Sequence, residues 1–328
     1  MNRVFLLPLS FVVAFFAIYL TLANFPFFLS VEPGYSIGSV SRWCERISGG
    51  YFREPVNALS NLGFIITGLF MFWILSKEPR AKLIKFKGPN LIALLYASAA
   101  VFLGPGSLLM HGTHTAWGQW ADWLSMIIYI SIPWLINIFT CNDWKESSFI
   151  KTYLSLITIF ALLSWFFGYD LGINFNLWAL SIGWWIITEV LMNFWSNYMR
   201  LFSGFIAIAV MSLFGTFPNE IISDFSSYWW VILFWLPAVL MKTEPVIKRT
   251  YNPWFFLGCG FYFIAFIIWL QGYPGTRFCN PDSLIQPHGI WHVLSSFATL
   301  SFFFYFRTER SLRNCLLYTS DAADDETS

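Results

Sequence analysis

Long apolar runs separated by short polar breaks fill almost the whole chain. They predict helices over Val4–Phe25, Pro55–Ser76, Pro89–Met110, Trp117–Thr140, Phe149–Gly168, Asn176–Trp195, Leu201–Phe217, Tyr228–Met241, Pro253–Gln271 and Gly289–Phe306. A helix that crosses a bilayer needs about 20 mostly apolar residues, and most of these runs have that length. Leu201–Phe217 and Tyr228–Met241 are shorter, so each is open to being tilted, broken or re-entrant. The pattern is that of an all-α, polytopic transmembrane helix bundle. The first run reads as an uncleaved anchor. A cleaved signal peptide is the alternative, because Arg3, the apolar stretch and Thr21-Leu22-Ala23 also fit that plan.

Composition agrees and narrows the class. Of 328 residues, 57% are hydrophobic and 11% charged, whereas a soluble domain carries about 25% charged residues. A soluble globular enzyme is excluded. Net charge is +1 with no basic block, which leaves no footprint for nucleic acid. The lipid bilayer is the partner the chain needs, and its oligomeric state is not legible.

If all ten runs cross, the loops fall on two sides. One side receives Arg3, Lys77, Arg80, Lys82, Lys85, Lys87, Lys145, Lys151, Arg200, Lys242, Lys248, Arg249, Arg307, Arg310 and Arg313. The other receives Arg42, Arg46, Arg53 and Arg277. Such asymmetry marks the first side as cytoplasmic, with both termini on it. Cys44 and Cys279 then lie on the oxidising side, where a disulfide between them is expected; two unpaired thiols are the alternative.

Ionisable groups at membrane depth are costly and mark function by default. The four histidines, His111, His114, His288 and His292, all fall at helix ends on the non-cytoplasmic side. His288 and His292 are at i and i+4 on one helix face, as are Ser107 and His111. Asp122 follows in the first turns of the next helix. An H-x-x-x-H pair with one further histidine supplies the three protein ligands of a catalytic zinc site. Ser107, His111, Asp122, His288 and His292 can therefore converge at one boundary.

These residues carry a resemblance. The chain resembles the alkaline ceramidase family and its wider superfamily of adiponectin-receptor-like and lipid-anchor-remodelling membrane proteins. Three segments carry the likeness. They are Trp43-Cys44-Glu45 leading to Glu54-Pro55-Val56-Asn57-Ala58-Leu59-Ser60-Asn61, Gly106–His111 with Asp122, and Cys279–Ser283 through Gln286 to His288–His292. The resemblance implies a seven-helix ceramidase-like core, here with about two to three additional helices. Residues 1–30 would then be the anchor or signal segment, 31–307 the membrane-embedded hydrolase domain and 308–328 a disordered cytoplasmic tail.

It further implies a Zn²⁺-dependent amide hydrolase that cleaves ceramide-like sphingolipids by attack of a zinc-bound water. His111, His288 and His292 would be the zinc ligands, with Asp122 orienting or deprotonating the water and Ser107 supporting the metal or the oxyanion. A lipid esterase or phospholipase-like remodeller, and a non-enzymatic receptor with structural zinc, are the alternatives. In the family the acidic loop can also bind Ca²⁺. Here Glu45, Glu54 and the Trp43 carbonyl are the candidate ligands, but Arg42 and Ile47 stand where further oxygens would be expected. The site would face the non-cytoplasmic side, in the endoplasmic reticulum or Golgi of a eukaryote or the inner membrane of a bacterium.

Other features have plainer readings. Glu54 reads alternatively as a structural anchor with Asn57 and Asn61 in place of a calcium ligand. His114, three positions from His111 and near the same face, reads as an exposed loop residue, with a contact behind the ligand histidines or to substrate as the alternative. Glu189 reads as snorkelling to the interface. Pro105, Pro133 and Pro237 read as helix kinks. The tail 318–328 is acidic, and the string Cys315–Asp324 resembles translated adapter sequence and is assigned no function.

Overall fold

Every one of the ten apolar runs is helical in the computed structural model, which describes residues 3–25, 28, 36–80, 85–142, 144–245 and 247–311. Among the described residues, seven helices are long and apolar enough to cross a membrane, and three shorter apolar helices accompany them. Helices rich in exposed apolar side chains, such as Leu154, Ile159, Leu162 and Phe166 on one of them, are at home only in lipid. The chain is an all-α, multi-pass integral membrane protein. The acidic tail 318–328 lies outside the described residues.

Two compact units divide it. The first holds residues 1–125 and 250–308. It contains α1 (Arg3–Leu22), α2 (Pro55–Ser60), α3 (Leu62–Lys77), α4 (Leu91–Thr113), the first part of α5 (Ala116–Cys141), α12 (Trp254–Leu270) and α13 (Pro287–Phe306), with a small β1–β2 pair at Ser36–Ile37 and Val40–Ser41. α13 lies against α2, α3 and α12, and α3 lies against α4. α1 is part of this packing. Its buried Tyr19 donates to the Tyr51 carbonyl at 2.9 Å and stacks on Phe52.

One close approach sets the geometry that matters below. A Cβ on Gly106 of α4 would stand 2.4 Å from Ser125 Cβ and 2.9 Å from the Ala121 carbonyl of α5. Only glycine lets the two backbones come this near. At the end of α13, Arg307 grips Glu78 and donates to the Phe86 carbonyl at 2.8 Å. Burial opposes ionisation of Glu78, but Arg307 and the Gly88 N–H outweigh it and hold the carboxyl below its ordinary value.

The second unit holds, among the described residues, those from 126 to 249 and from 309 to 311. It contains the rest of α5, α6 (Glu146–Phe167), α7 (Leu177–Asn193), α8 (Asn197–Met211), α9 (Pro218–Ser223) and α10 (Phe225–Tyr228). A 3-10 stretch at Trp229–Trp235, α11 (Leu236–Leu240), and the strand pair β3 (Ile247–Lys248) and β4 (Arg310–Ser311) complete it. The run predicted over Tyr228–Met241 is thus a broken helix, interrupted as Pro237 enters. The run predicted from Leu201 starts earlier, at Asn197, with Ser196 capping it through Met199 N–H.

One expectation fails here: Glu189 does not snorkel but meets Arg249. Both are buried in one network, in which Arg249 donates to Asn137 at 2.6 Å and to Glu309 at 3.0 Å and lies 3.4 Å from Glu189. Asn137 and Trp185 donate to the same Glu189 oxygen. The opposite charges and the added hydrogen bonds offset part of the cost of taking these groups out of water. Residues 308–311 likewise belong to the described structure, with Glu309 buried and Arg310–Ser311 paired as β4.

Candidate metal centre

The site is built where the chain entering α2 meets the end of α4 and the start of α13. Backbone bonds fix this junction: Arg53 N–H donates to the Gly112 carbonyl and Glu54 N–H to the His111 carbonyl, both at 2.9 Å. Glu45 reaches the start of α2, where its two oxygens accept from Val56 and Asn57 N–H at 2.7 and 2.8 Å. A carboxylate at a helix N-terminus satisfies donors that have no partner within the helix. Even so, burial raises the Glu45 pKa above its ordinary value.

His111, His288 and His292 are buried together, and one nitrogen of each lies within 4.8 Å of the others. Their tautomers follow from their neighbours. His111 Nδ1 is 3.0 Å from Glu54 Oε2, an acceptor. His292 Nδ1 is 3.1 Å from the Asn57 carbonyl, also an acceptor, and 2.8 Å from Ser60 Oγ, whose own proton goes to that carbonyl. Both Nδ1 atoms therefore carry the proton, and both Nε2 lone pairs are left for another partner.

The His111 and His288 Nε2 atoms approach to 3.0 Å. Two nitrogens each about 2.0–2.1 Å from one tetrahedral ion would stand roughly 3.4 Å apart. The histidine set thus fits a metal ion.

Ser107 and Asp122 lie at its side. Ser107 Oγ is 3.4 Å from His292 Nε2, and its hydroxyl hydrogen-bonds the Asp122 carboxylate, which also interacts electrostatically with His111. The Gly106 contact described above is what brings α5 near enough for this. All five residues singled out by spacing are therefore brought together in the first unit.

Sequence reasoning placed His114 wrongly. It is fully buried, at the left-handed end of α4 (φ 54°), and its Nε2 is 2.5 Å from Glu54 Oε1. The exposed-loop reading fails, and the alternative of a contact behind the ligand histidines is the one present. Glu54 thus faces His111, His114 and Asn57, whose Nδ2 donates at 2.7 Å. Burial opposes its ionisation, but the two histidines hold the carboxyl well below the usual range. The anchor role with Asn57 is present. Asn61 bonds instead to the Asn57 carbonyl.

The residues do not fit calcium. Each oxygen of Glu45 and Glu54 is engaged by a protein donor, and Arg42 and Ile47 supply none. Calcium takes six to eight oxygens. The Trp43 indole is stacked on the His288 ring, with centroids 4.4 Å apart.

Beside the site, Cys44 and Cys279 form a disulfide. It joins the Trp43–Glu45 loop to the segment before α13, and Arg46 reinforces the join by donating to the Pro281 carbonyl and pairing with Asp282. Among the described residues, Cys141 and Cys259 are not in a disulfide.

No curated protein matches the chain. The family model described as Ceramidase does, over residues 36–318, a stretch that contains every residue of the histidine cluster, the Ser107–Asp122 pair and the disulfide. That match covers nearly the whole chain, and on it the chain belongs to the ceramidase family.

Proposed function

We propose that the protein is a zinc-dependent membrane hydrolase that cleaves the amide bond of ceramide-like sphingolipids into sphingoid base and fatty acid. The observation that carries this is the convergence of one nitrogen from each of three buried histidines with the Ser107–Asp122 pair, in a chain of the ceramidase family. Three protein ligands with a fourth position open is the arrangement of a catalytic zinc site, not a structural one. A Zn²⁺ held there supplies a Lewis acid for the amide carbonyl and makes water a better nucleophile near neutral pH.

The chain's own residues do the rest. Asp122 accepts the proton of the attacking water as the C–O bond forms, and then returns it to the departing amine nitrogen as the C–N bond breaks. Ser107 donates to the Asp122 carboxylate and holds it on the side of the cluster facing His292. Glu54 and the Asn57 carbonyl fix the planes of His111 and His292. Burial of all three rings keeps bulk water from competing with these contacts. The disulfide beside the cluster favours an oxidising, non-cytoplasmic side for the site.

The test is product analysis on mixed ceramides and phospholipids, with and without chelator. Fatty acid and sphingoid base should appear from ceramide, stop with chelator and return with Zn²⁺. Ceramide left intact while phospholipid acyl chains are released would overturn the reading.

A further inference from the structure

Metal-ligating histidines almost always donate their second ring N–H to a carboxylate, a carbonyl or water, which fixes the ring plane. Two of the three histidines here follow that rule, through Glu54 and through the Asn57 carbonyl. His288 does not. Its Nδ1 is buried and has no hydrogen-bond partner. What lies on its ring is the Trp43 indole, at 4.4 Å between centroids and 23° between planes.

Trp43 is itself held on several sides. Its ring centroid is 5.8 Å from that of Trp269 and 5.5 Å from that of Tyr273, and the Arg42 guanidinium lies 5.1 Å from it. The next residue, Cys44, is fully buried, has a left-handed backbone (φ 72°) and is tied to Cys279. The backbone of His288 is also closely confined. A Cβ on Gly272 would stand 2.9 Å from Pro287 Cβ and 3.6 Å from His288 N. The backbone of α13 is therefore fixed at this turn, and rotation of the imidazole about its own side-chain bonds is the remaining freedom. The indole opposes it.

We propose that Trp43 is the positioning residue of His288: stacking sets the plane in which His288 presents Nε2 to the metal, taking the place of the hydrogen bond that holds the other two ligands. The disulfide-tethered loop is then part of the metal site without supplying a ligand. The inference rests on the reading of the histidine cluster as a metal centre. A hydrogen-bonded partner of a ligand histidine is worth 10–100-fold in metal affinity, and the stacked ring should be worth a similar factor.

The experiment measures Co²⁺ affinity by chelator competition, and the visible Co²⁺ spectrum, on metal-free full-length protein in detergent. The wild type is compared with Trp43→Phe, Trp43→Leu, His288→Ala and the Trp43→Leu/His288→Ala pair. The Leu variant should bind about 10–100-fold more weakly with an altered spectrum, and Phe should restore most of both. In the His288→Ala background, Trp43→Leu should cost almost nothing further, because the ring it positions is gone. An indole that merely supports the fold would cost the same in both backgrounds, and that result overturns the proposal, as does wild-type affinity and spectrum in the Leu variant. A wild type that binds no Co²⁺ at the cluster overturns the metal centre itself, and the proposal with it.

Discussion

Replacing Gly106 with alanine adds one methyl group at the contact between α4 and α5. The new Cβ would lie 2.4 Å from Ser125 Cβ, 2.6 Å from Ser125 Oγ and 2.9 Å from the Ala121 carbonyl. Carbon atoms rest comfortably at about 3.5–4.0 Å, so α5 has to retreat by about 1 Å. Asp122 lies between Ala121 and Ser125 and must move with them, away from Ser107. In an isolated helix the same change would stabilise by roughly 0.5–1 kcal/mol; here overpacking costs about 1–3 kcal/mol and wins.

The functional loss should exceed the stability loss, because a displacement of about 1 Å in an aligned site costs on the order of 10²-fold. The ligand histidines lie on α4 and α13, so metal content should stay near that of the wild type while kcat for ceramide falls about 10²-fold. Ser125→Gly removes the two nearest atoms and should return part of the activity to the Gly106→Ala protein. Metal analysis, thermal unfolding in detergent and ceramide turnover on the same preparations read all three quantities. Wild-type kcat in Gly106→Ala would refute the reasoning, since Asp122 would then not depend on this contact.

Three further outcomes are expected. Glu54→Gln keeps the shape but loses the charge facing His111 and His114, and should weaken zinc affinity about 10–100-fold, read by chelator competition; an unchanged affinity would remove Glu54 from the site's support. Arg249→Met leaves Glu189 and Glu309 buried without their cation and should cost about 3–5 kcal/mol, seen as a lower unfolding temperature with little effect on metal content. The Glu78 carboxyl is held below its ordinary value of 4.5, so its contribution to stability is present above that value and is lost as pH falls below it. Glu78→Gln should therefore destabilise the protein near neutral pH and flatten the acid side of its stability profile; parallel profiles would argue against the Arg307 pair.

The helices and the histidine cluster were legible because their signals are local or repeated. Apolar runs of bilayer length announce spans one by one, and His288 with His292 at i and i+4 fall on one helix face without any knowledge of the fold. The Ser107–His111 spacing does the same for α4, and loop charge sorted Cys44 and Cys279 to one side. What stayed hidden depends on pairing across distance or on backbone turns. His114 follows His111 by three residues and reads as lying in the exposed loop past the helix end; α4 in fact runs to Thr113, and the left-handed residue that ends it is buried against Glu54.

Glu189 reads as an interfacial acid because nothing near it in sequence is basic, and Arg249 becomes its partner only once α7 and the β3 segment are folded together. A signal was available in the count of charges: a buried acid in so uncharged a chain is best sought a partner among the loop arginines. Trp43 entered as a carbonyl donor for calcium. Its indole, whose role depends on a stack with His288 far along the chain, gave no sign of itself.

The central claim is that the three histidines hold one zinc ion on which ceramide hydrolysis depends. Its most direct measurement is zinc content and ceramide hydrolysis on the same purified samples of wild type and His292→Ala, before and after chelation. The account predicts about one zinc per wild-type chain, loss of hydrolysis on its removal, recovery on its return, and neither zinc nor turnover in a folded His292→Ala protein. Ceramide hydrolysis at the wild-type rate by zinc-free wild type, or by His292→Ala, would contradict it.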